Sequence, residues 1–511
     1  MSPDASNKTR LLRIDAAGVA DARGHLGGAG AGAAGAGVAR GVSVLVRVAG
    51  WGAAGGNGLP ESAASPWTAR LLAVGPAAWV AALPECVGAE VVACPNAVLI
   101  PGLVNAHAHL DLTHIGPRAL ARPAGGTGGF RTWIDMIRAE RRSDDEGIAA
   151  SVRAGVALLR RGGTVAVGDI AGAVRGRASL AAFLALRATG MAGVSFIEFF
   201  ALGAGADAAI EAARAAVDEG IALPCSPSQR EGVGGGRGFG SDGHGARLRI
   251  GLSPHATYSA GTAAYRFAAD LAAHGIPACS HVAESPEERE LVLHQRGPLR
   301  ELLEAVGVWN DAAAAEFAAG GGARSPVHQV GRTSCPPSSS LPVGAAGGGR
   351  FPLTLIHVND CSDADLVDLV SARASVVYCP RASAYFGAEH HFGPHRYREM
   401  LAAGMNVALG TDSIVNLPPG SDDPHTGRIG VLDEMRFLHQ RDGTDARTLL
   451  AMGTTNAARV LGLSPEPFTL LSEPANTHWR GDRPLAGLLA VDSPSSPHAW
   501  LASNAPPRVL V

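Results

Sequence analysis

Apolar residues fall along this chain in two different rhythms. Up to about residue 100 they come as short β-rich runs, Val42 to Val48, Arg70 to Val74 and Glu90 to Ile100, separated by Gly- and Ala-rich spacers such as Gly27 to Gly37, with no helical period. From about Leu485 the same character returns in LAGLLAVD and the closing PRVLV, so the two ends are expected to pair into one small sheet unit. In the middle, a strand-like apolar run, a polar turn and a helix-like stretch repeat, which predicts βα units around a parallel sheet. Eight strands are predicted, ending near His107, Asp169, Phe200, His255, His281, His357, Cys379 and Asp412. Two helices are clearest. Ser285-Pro286-Glu287-Glu288 combines an N-cap, a proline at the first helical position and a capping-box glutamate, and Ile148, Val152, Val156 and Leu159 lay an apolar stripe along one face. Two stretches, 229–245 and 320–350, are rich in Gly and Ser and poor in apolar residues, and are expected to be surface insertions.

Length and composition narrow the picture. The 511 residues exceed one small core and suit a large α/β barrel with an accessory domain, and 46% hydrophobic residues argue against general disorder. A net charge of −3 without basic runs provides no field for nucleic acid or anionic lipid, so a small, uncharged or mixed-charge partner is expected. Seven scattered cysteines without a CxxC pair point to a reducing compartment. No apolar leader and no apolar run of about 18 residues is present, so a cytoplasmic protein without a membrane partner is expected.

The chemistry concentrates at predicted strand ends. In Leu99 to His109 an apolar run leads into His107 and His109, whose i, i+2 spacing turns both imidazoles to one side of a strand. Among 18 histidines such a pair says little by itself. However, His255, His281, His357 and Asp412 recur at the ends of later strands, and in a (β/α)8 barrel those ends share one face. Three nitrogens drawn from these histidines and one carboxylate oxygen make a suitable zinc shell. Glu284, three residues after His281, can take a proton from an attacking water and return it to a ring nitrogen of a substrate; it also suits a helix N-terminus. His357 fits two roles, polarising that water or binding the metal as a further ligand. Asp412 can ligate and also accept a proton, and His255 is better placed for substrate.

The segments PGLVNAHAHLDLTH, HVAES, HVND and LGTDS resemble the metal-site motifs of the amidohydrolase superfamily, in its cytosine deaminase, chlorohydrolase and S-adenosylhomocysteine deaminase branch. The likeness spans about residues 90–465 and extends to GTVAVGDI, FRTWIDMIRAERR, DEMR and TTNAARVLGL. It implies a (β/α)8 barrel over 99–464, a composite β-sandwich from 1–98 and 465–511, and a hydrolytic deaminase with one divalent ion, zinc before iron. His107, His109, His281 and Asp412 would be its ligands, Glu284 the proton shuttle and His357 the group orienting the attacking water. Binuclear relatives bridge their metals with a carboxylated lysine; the only lysine here is Lys8, which excludes that arrangement. CPRASAYFGAEHHF, SPHATYS and GTDSIVN are most similar to aminodeoxyfutalosine deaminase-like proteins, implying an aminated purine nucleoside derivative as substrate. Arg381, Tyr385, Phe386, Trp133 and Glu198 are the candidates for the pocket wall, beside His255. The resemblance leans toward a homo-oligomer. An amidase or chlorohydrolase acting on another C–N or C–Cl bond of a heterocycle would use the same site, and a non-catalytic barrel protein is the third reading.

Overall fold

The computed structural model describes residues 9–26, 41–49, 69–121, 129–223, 248–318, 322–334, 353–417, 427–471, 478–493 and 499–511. The first five strands are β1 (Arg10–Asp21), β2 (Gly24–Leu26), β3 (Val42–Val48), β4 (Ala69–Pro76) and β5 (Glu90–Pro101). Then come β6 (Leu103–Ala108), β7 (Thr164–Ala171), β8 (Ala192–Phe199) and β9 (Leu248–Pro254). They are followed by β10 (Cys279–Val282), β11 (Thr354–His357), β12 (Ser375–Tyr378) and β13 (Asn406–Leu409). The last three are β14 (Trp479–Leu485), β15 (Leu488–Asp492) and β16 (Arg508–Val509).

The two ends of the chain meet in one eight-stranded sheet, ordered β14-β4-β3-β1-β5-β15-β16 with β2 on β1. In β1 the alternation expected of a strand holds: Leu12, Ile14 and Ala16 are buried while Arg13 and Asp15 pair with each other toward the surface. In β5 successive residues serve two cores: Val98 and Ile100 pack with the central elements and Leu99 with the terminal sheet. All three are fully buried, which stabilises by about 1.5–3 kcal/mol per side chain. Only Gly102 separates β5 from β6; its amide donates to the Gly487 carbonyl (3.0 Å), and a Cβ there would lie 2.6 Å from the Ala486 carbonyl oxygen. Glycine is required by this close approach.

The eight central strands are all parallel, hydrogen-bonded as β6-β7-β8-β9 and β10-β11-β12-β13, and their ends fall where the apolar runs predicted. Single parallel bridges also connect β9 with β10 (Leu252 to Ala278) and Ala108 with Asp412. Between β6 and β7 the helix Asp145–Arg161 starts on an Asp144 cap, whose carboxylate accepts from the Gly147 amide (2.7 Å), and buries its predicted stripe against the core.

One of the two Gly- and Ser-rich stretches is not wholly a surface insertion. Residues 229–245 lie outside the described residues, as does 335–350, but 326–334 form a helix, Pro326–Ser334, whose Val327 and Val330 are fully buried in the central core. The β10–β11 connection is therefore a packed multi-helix segment, with Pro286–His294, Pro298–Ala305 and Asp311–Ala318 preceding that helix. Its two valines three positions apart are a helical signal that the surrounding glycines and serines obscure. No described helix is long and apolar enough to cross a membrane, and the described cysteines, Cys86, Cys94, Cys279, Cys361 and Cys379, are free.

Candidate active site

His107 lies one residue before the end of β6, and His109 just past it, so the pair is not confined to one strand as the spacing suggested; the rings still converge, with centroids 4.9 Å apart. His281 in β10 places its Nε2 3.3 Å from His109 Nε2. Asp412, three residues beyond β13, sends Oδ1 to within 3.3 Å of His107 Nε2 and 3.4 Å of His109 Nε2. His357 closes β11 with its Nε2 3.5 Å from Glu284 Oε1, and Glu284, His357 and Asp412 form one buried group.

The backbone is strained at this cluster. His357 (φ 73°), Val358 (φ 54°), Asp412 (φ 57°) and Ala283 (φ 58°), beside Glu284, all adopt the left-handed region. Each costs on the order of 1–3 kcal/mol and persists only where its surroundings fix it. Glu288 does so at Glu284: its carboxylate accepts from the amides of Ala283 (3.0 Å) and Glu284 (2.7 Å) and from the Thr257 hydroxyl. Ser285 caps the helix as predicted, accepting from the Glu288 amide, but the carboxylate of Glu288 reaches back past the cap to the strained turn.

Electrostatics suits a cation. Burial, together with the neighbouring rings, pushes His109 down to about 3 and His281 well below its usual range, and burial pushes His357 to about 3. These imidazoles are neutral near pH 7 and have lone pairs to offer. Burial alone would raise Asp412, but the adjoining His107, His357 and His109 outweigh it and hold its carboxyl far below the ordinary carboxylate range. Glu284 behaves oppositely: burial first, then Asp412, Glu288 and Glu287, raise it well above that range.

Beside the cluster, His255 follows β9 with Nε2 3.8 Å from Glu198 Oε1, and Glu198 faces Arg141 (3.6 Å), which in turn binds Asp111 (2.9 Å). Burial would raise Glu198, but His255 and Arg141 reverse the effect and lower it. Trp133 and Phe386 come together with perpendicular rings 5.4 Å apart, Phe130 lies 5.2 Å from Phe386, and Tyr385 abuts Phe386 at 5.0 Å. Among the described residues, Trp133 Nε1 and the Tyr385 hydroxyl are buried without a hydrogen bond. A 410 Å³ cavity is lined by Phe130, Phe386 and His391 together with Ser285, Pro286 and Glu287, the residues that follow Glu284. Arg381 is not brought to the metal residues; Glu434 holds its guanidinium (2.6 Å) and its amide (3.0 Å).

The model of the amidohydrolase family matches residues 98–466. The chain belongs to the amidohydrolase family. This amidohydrolase is 28% identical to aminodeoxyfutalosine deaminase of Deinococcus radiodurans over 72% of its own length and 74% of the relative's. It is 26% identical to 5-methylthioadenosine/S-adenosylhomocysteine deaminase of Desulfovibrio desulfuricans, over 71% and 67% respectively. In fold it is similar to the Helicobacter pylori aminofutalosine deaminase bound to methylthio-coformycin, with a TM-score of 0.61 and 16% identity over 96% of this chain and 94% of that one. It is also similar to the zinc complex of atrazine chlorohydrolase from Arthrobacter aurescens, with a TM-score of 0.59 and 16% identity over 98% and 94%. Family and deaminase relatives together make the protein a metal-dependent hydrolase of carbon–nitrogen bonds.

The residues of this amidohydrolase fit the ion that such chemistry needs. His107 Nε2 and His357 Nε2 are buried without hydrogen bonds, and the donor groups His107–His281–His357 and His107–His109–Asp412 share His107. His281 Nδ1 faces the His255 carbonyl at 2.8 Å and therefore carries its proton there, leaving Nε2 bare for a metal. Asn416 donates to Asp412 Oδ2 (2.6 Å), which turns Oδ1 toward the histidines, and Asn359 donates to the Glu284 carbonyl (3.1 Å). Sequence reasoning did not single out these two asparagines, although both lie inside motifs it quoted, GTDSIVN and HVND.

Proposed function

We propose that this amidohydrolase deaminates an aminated purine, nucleoside-like substrate by hydrolysis, releasing ammonia, with 6-aminodeoxyfutalosine the first substrate to test. The observation that carries this reading is the convergence of His107, His109, His281 and Asp412 next to the Glu284–His357 pair. The four residues would hold one divalent cation, with zinc the first ion to test and iron the alternative. Such an ion lowers the pKa of water toward about 7, so a nucleophile exists at neutral pH. Glu284 then accepts a proton from the attacking water and passes it to a ring nitrogen; its raised pKa suits a carboxyl that must be protonated midway. The water oxygen bonds to the ring carbon, its second proton passes by way of Asp412 to the amino group, the carbon–nitrogen bond breaks, and the amino group leaves as ammonia. His357 holds the water against that carbon.

For the rest of the substrate, Glu198 and His255 offer an acceptor and a ring nitrogen, and Trp133, Tyr385 and Phe386 offer aromatic walls with two free donors. The two four-stranded sheets, joined by bridges on both sides, are proposed to form one (β/α)8 barrel over 99–464, with 1–98 and 465–511 as the accessory domain. The test is metal analysis coupled to an ammonia-release screen of 6-aminopurine nucleosides. Stoichiometric zinc with ammonia release supports the reading. Chloride release from a chlorotriazine without ammonia from any nucleoside, or no hydrolysis at all, overturns it.

A further inference from the structure

We propose that His395, a residue outside every metal-site motif, is a positioning residue that fixes His357 for the reaction; the inference rests on the deaminase reading above. His357 and Val358 are consecutive left-handed residues, a backbone conformation that non-glycine residues leave readily unless held. The buried ring of His395 holds it. Its Nε2 lies 2.8 Å from the His357 carbonyl, and its Nδ1 lies 3.0 Å from the Tyr397 amide. An amide can only donate, so Nδ1 must be the bare nitrogen, and the single ring proton sits on Nε2 and is given to the His357 carbonyl.

The clamp is itself rigid. Tyr378, at the end of β12, stacks on the His395 ring at 3.7 Å and 15°. Tyr397, which orients Nδ1, is anchored through its hydroxyl to Asp442 (2.8 Å) and Thr444 (2.5 Å). On the other side, the Val358 amide donates to the Val282 carbonyl (2.9 Å), in the strand that carries His281. The peptide between His357 and Val358 is therefore fixed from both sides: its carbonyl by His395 and its amide by β10. With that peptide fixed, the backbone from which the His357 ring projects is held where Nε2 lies 3.5 Å from Glu284 Oε1. No proton is transferred through His395; it acts by holding a carbonyl.

Two substitutions separate this role from local packing. H395Q places an amide N–H where Nε2 was and keeps the donor to His357, while H395N keeps the partner of Tyr397 and loses that donor. With zinc-loaded protein and the 6-aminopurine nucleoside that releases ammonia fastest in the screen above, H395Q is expected to stay within about threefold of wild-type kcat. H395N should lose about 10- to 100-fold in kcat, the usual loss when a group that orients a site residue is removed, with KM and zinc content unchanged. Crystals of H395N should show the His357 ring displaced from Glu284. The opposite order, or equal rates in both variants, overturns the proposal. A wild-type protein that releases no ammonia sinks the deaminase reading alone, and the position of His357 in the variant crystals still decides the role of His395. If neither variant folds, nitrogen-15 spectra of histidine-labelled wild-type protein decide it: a proton on Nδ1 of His395 refutes the clamp.

Discussion

Replacing Glu284 with glutamine tests the proposed chemistry most directly, because it removes a proton acceptor and little else. The glutamine has nearly the same volume and can keep the place 3.5 Å from His357 Nε2, and the proposed ligands His107, His109, His281 and Asp412 are untouched. General acid–base catalysis by a positioned side chain contributes about 10²–10⁴ in rate, or about 3–5 kcal/mol at about 1.4 kcal/mol per decade. Since one carboxyl both takes and returns the proton, kcat should fall toward the upper end, with full zinc content. The same substitution has a second signature. Burial and the nearby Asp412, Glu288 and Glu287 raise the folded-state pKa of Glu284 above its unfolded value. Its stabilisation is therefore complete below the ordinary carboxylate range and is lost as pH rises through the raised folded value. In metal-free protein at pH 8, E284Q should melt above wild type, and the gap should close as pH falls toward about 4. Stopped-assay ammonia release and differential scanning fluorimetry read the two effects. A rate within about fivefold of wild type refutes the shuttle, and a lower melting temperature at pH 8 refutes the electrostatic account.

Replacing His107 with alanine should abolish stoichiometric zinc, as measured by plasma emission on dialysed protein, since no other described nitrogen faces the same point from β6. Asn416→Leu should weaken zinc about 10- to 100-fold in competition with a chelator, because Asp412 loses the donor that turns Oδ1 inward. Asp169, buried and pushed up to about 8 mainly by burial, stabilises fully below its unfolded pKa and loses that contribution as pH rises toward 8. Asp169→Asn should accordingly flatten the melting-temperature profile between about pH 4 and 8; an unchanged slope would mean the carboxylate is solvated. Gly193→Ala should destabilise strongly, since at φ 129° a Cβ would lie 1.9 Å from the Val167 carbonyl oxygen, and urea unfolding would measure the loss.

Strand ends were legible because each proposed metal ligand ends or follows an apolar run of strand length, and parallel strands bring such ends to one side. What periodicity could not supply was the destination of side chains that act on backbone. Glu288 reads as half of a capping box, yet its carboxylate spans to Ala283 and Glu284, because the turn there is left-handed and leaves two amides pointing the same way. Arg381 follows a strand end and so reads as a pocket residue, but Glu434, 53 positions later, neutralises it from a different helix. The charged chain from Asp111 through Arg141 to Glu198 was half visible, with Glu198 picked out and its partners not, since nothing local shows which arginine of FRTWIDMIRAERR turns inward. The helix at Pro326–Ser334 was hidden by composition: flanking glycines and serines masked two core valines.

The single-residue gap at Gly102 means that one ribbon, β5 running into β6, is shared by the unit knitted from both chain ends and by the strand that delivers His107. β15 is hydrogen-bonded to that ribbon from Ala97 to Pro101, within a few residues of the ligand pair. Trimming or fusing at the C-terminal side thus acts on the catalytic centre without touching a catalytic residue. Clones shortened by the last two dozen residues should show themselves first as poor zinc retention, so their inactivity would be easily misattributed to chemistry when its origin is the loss of β15 and β16 from one side of the sheet.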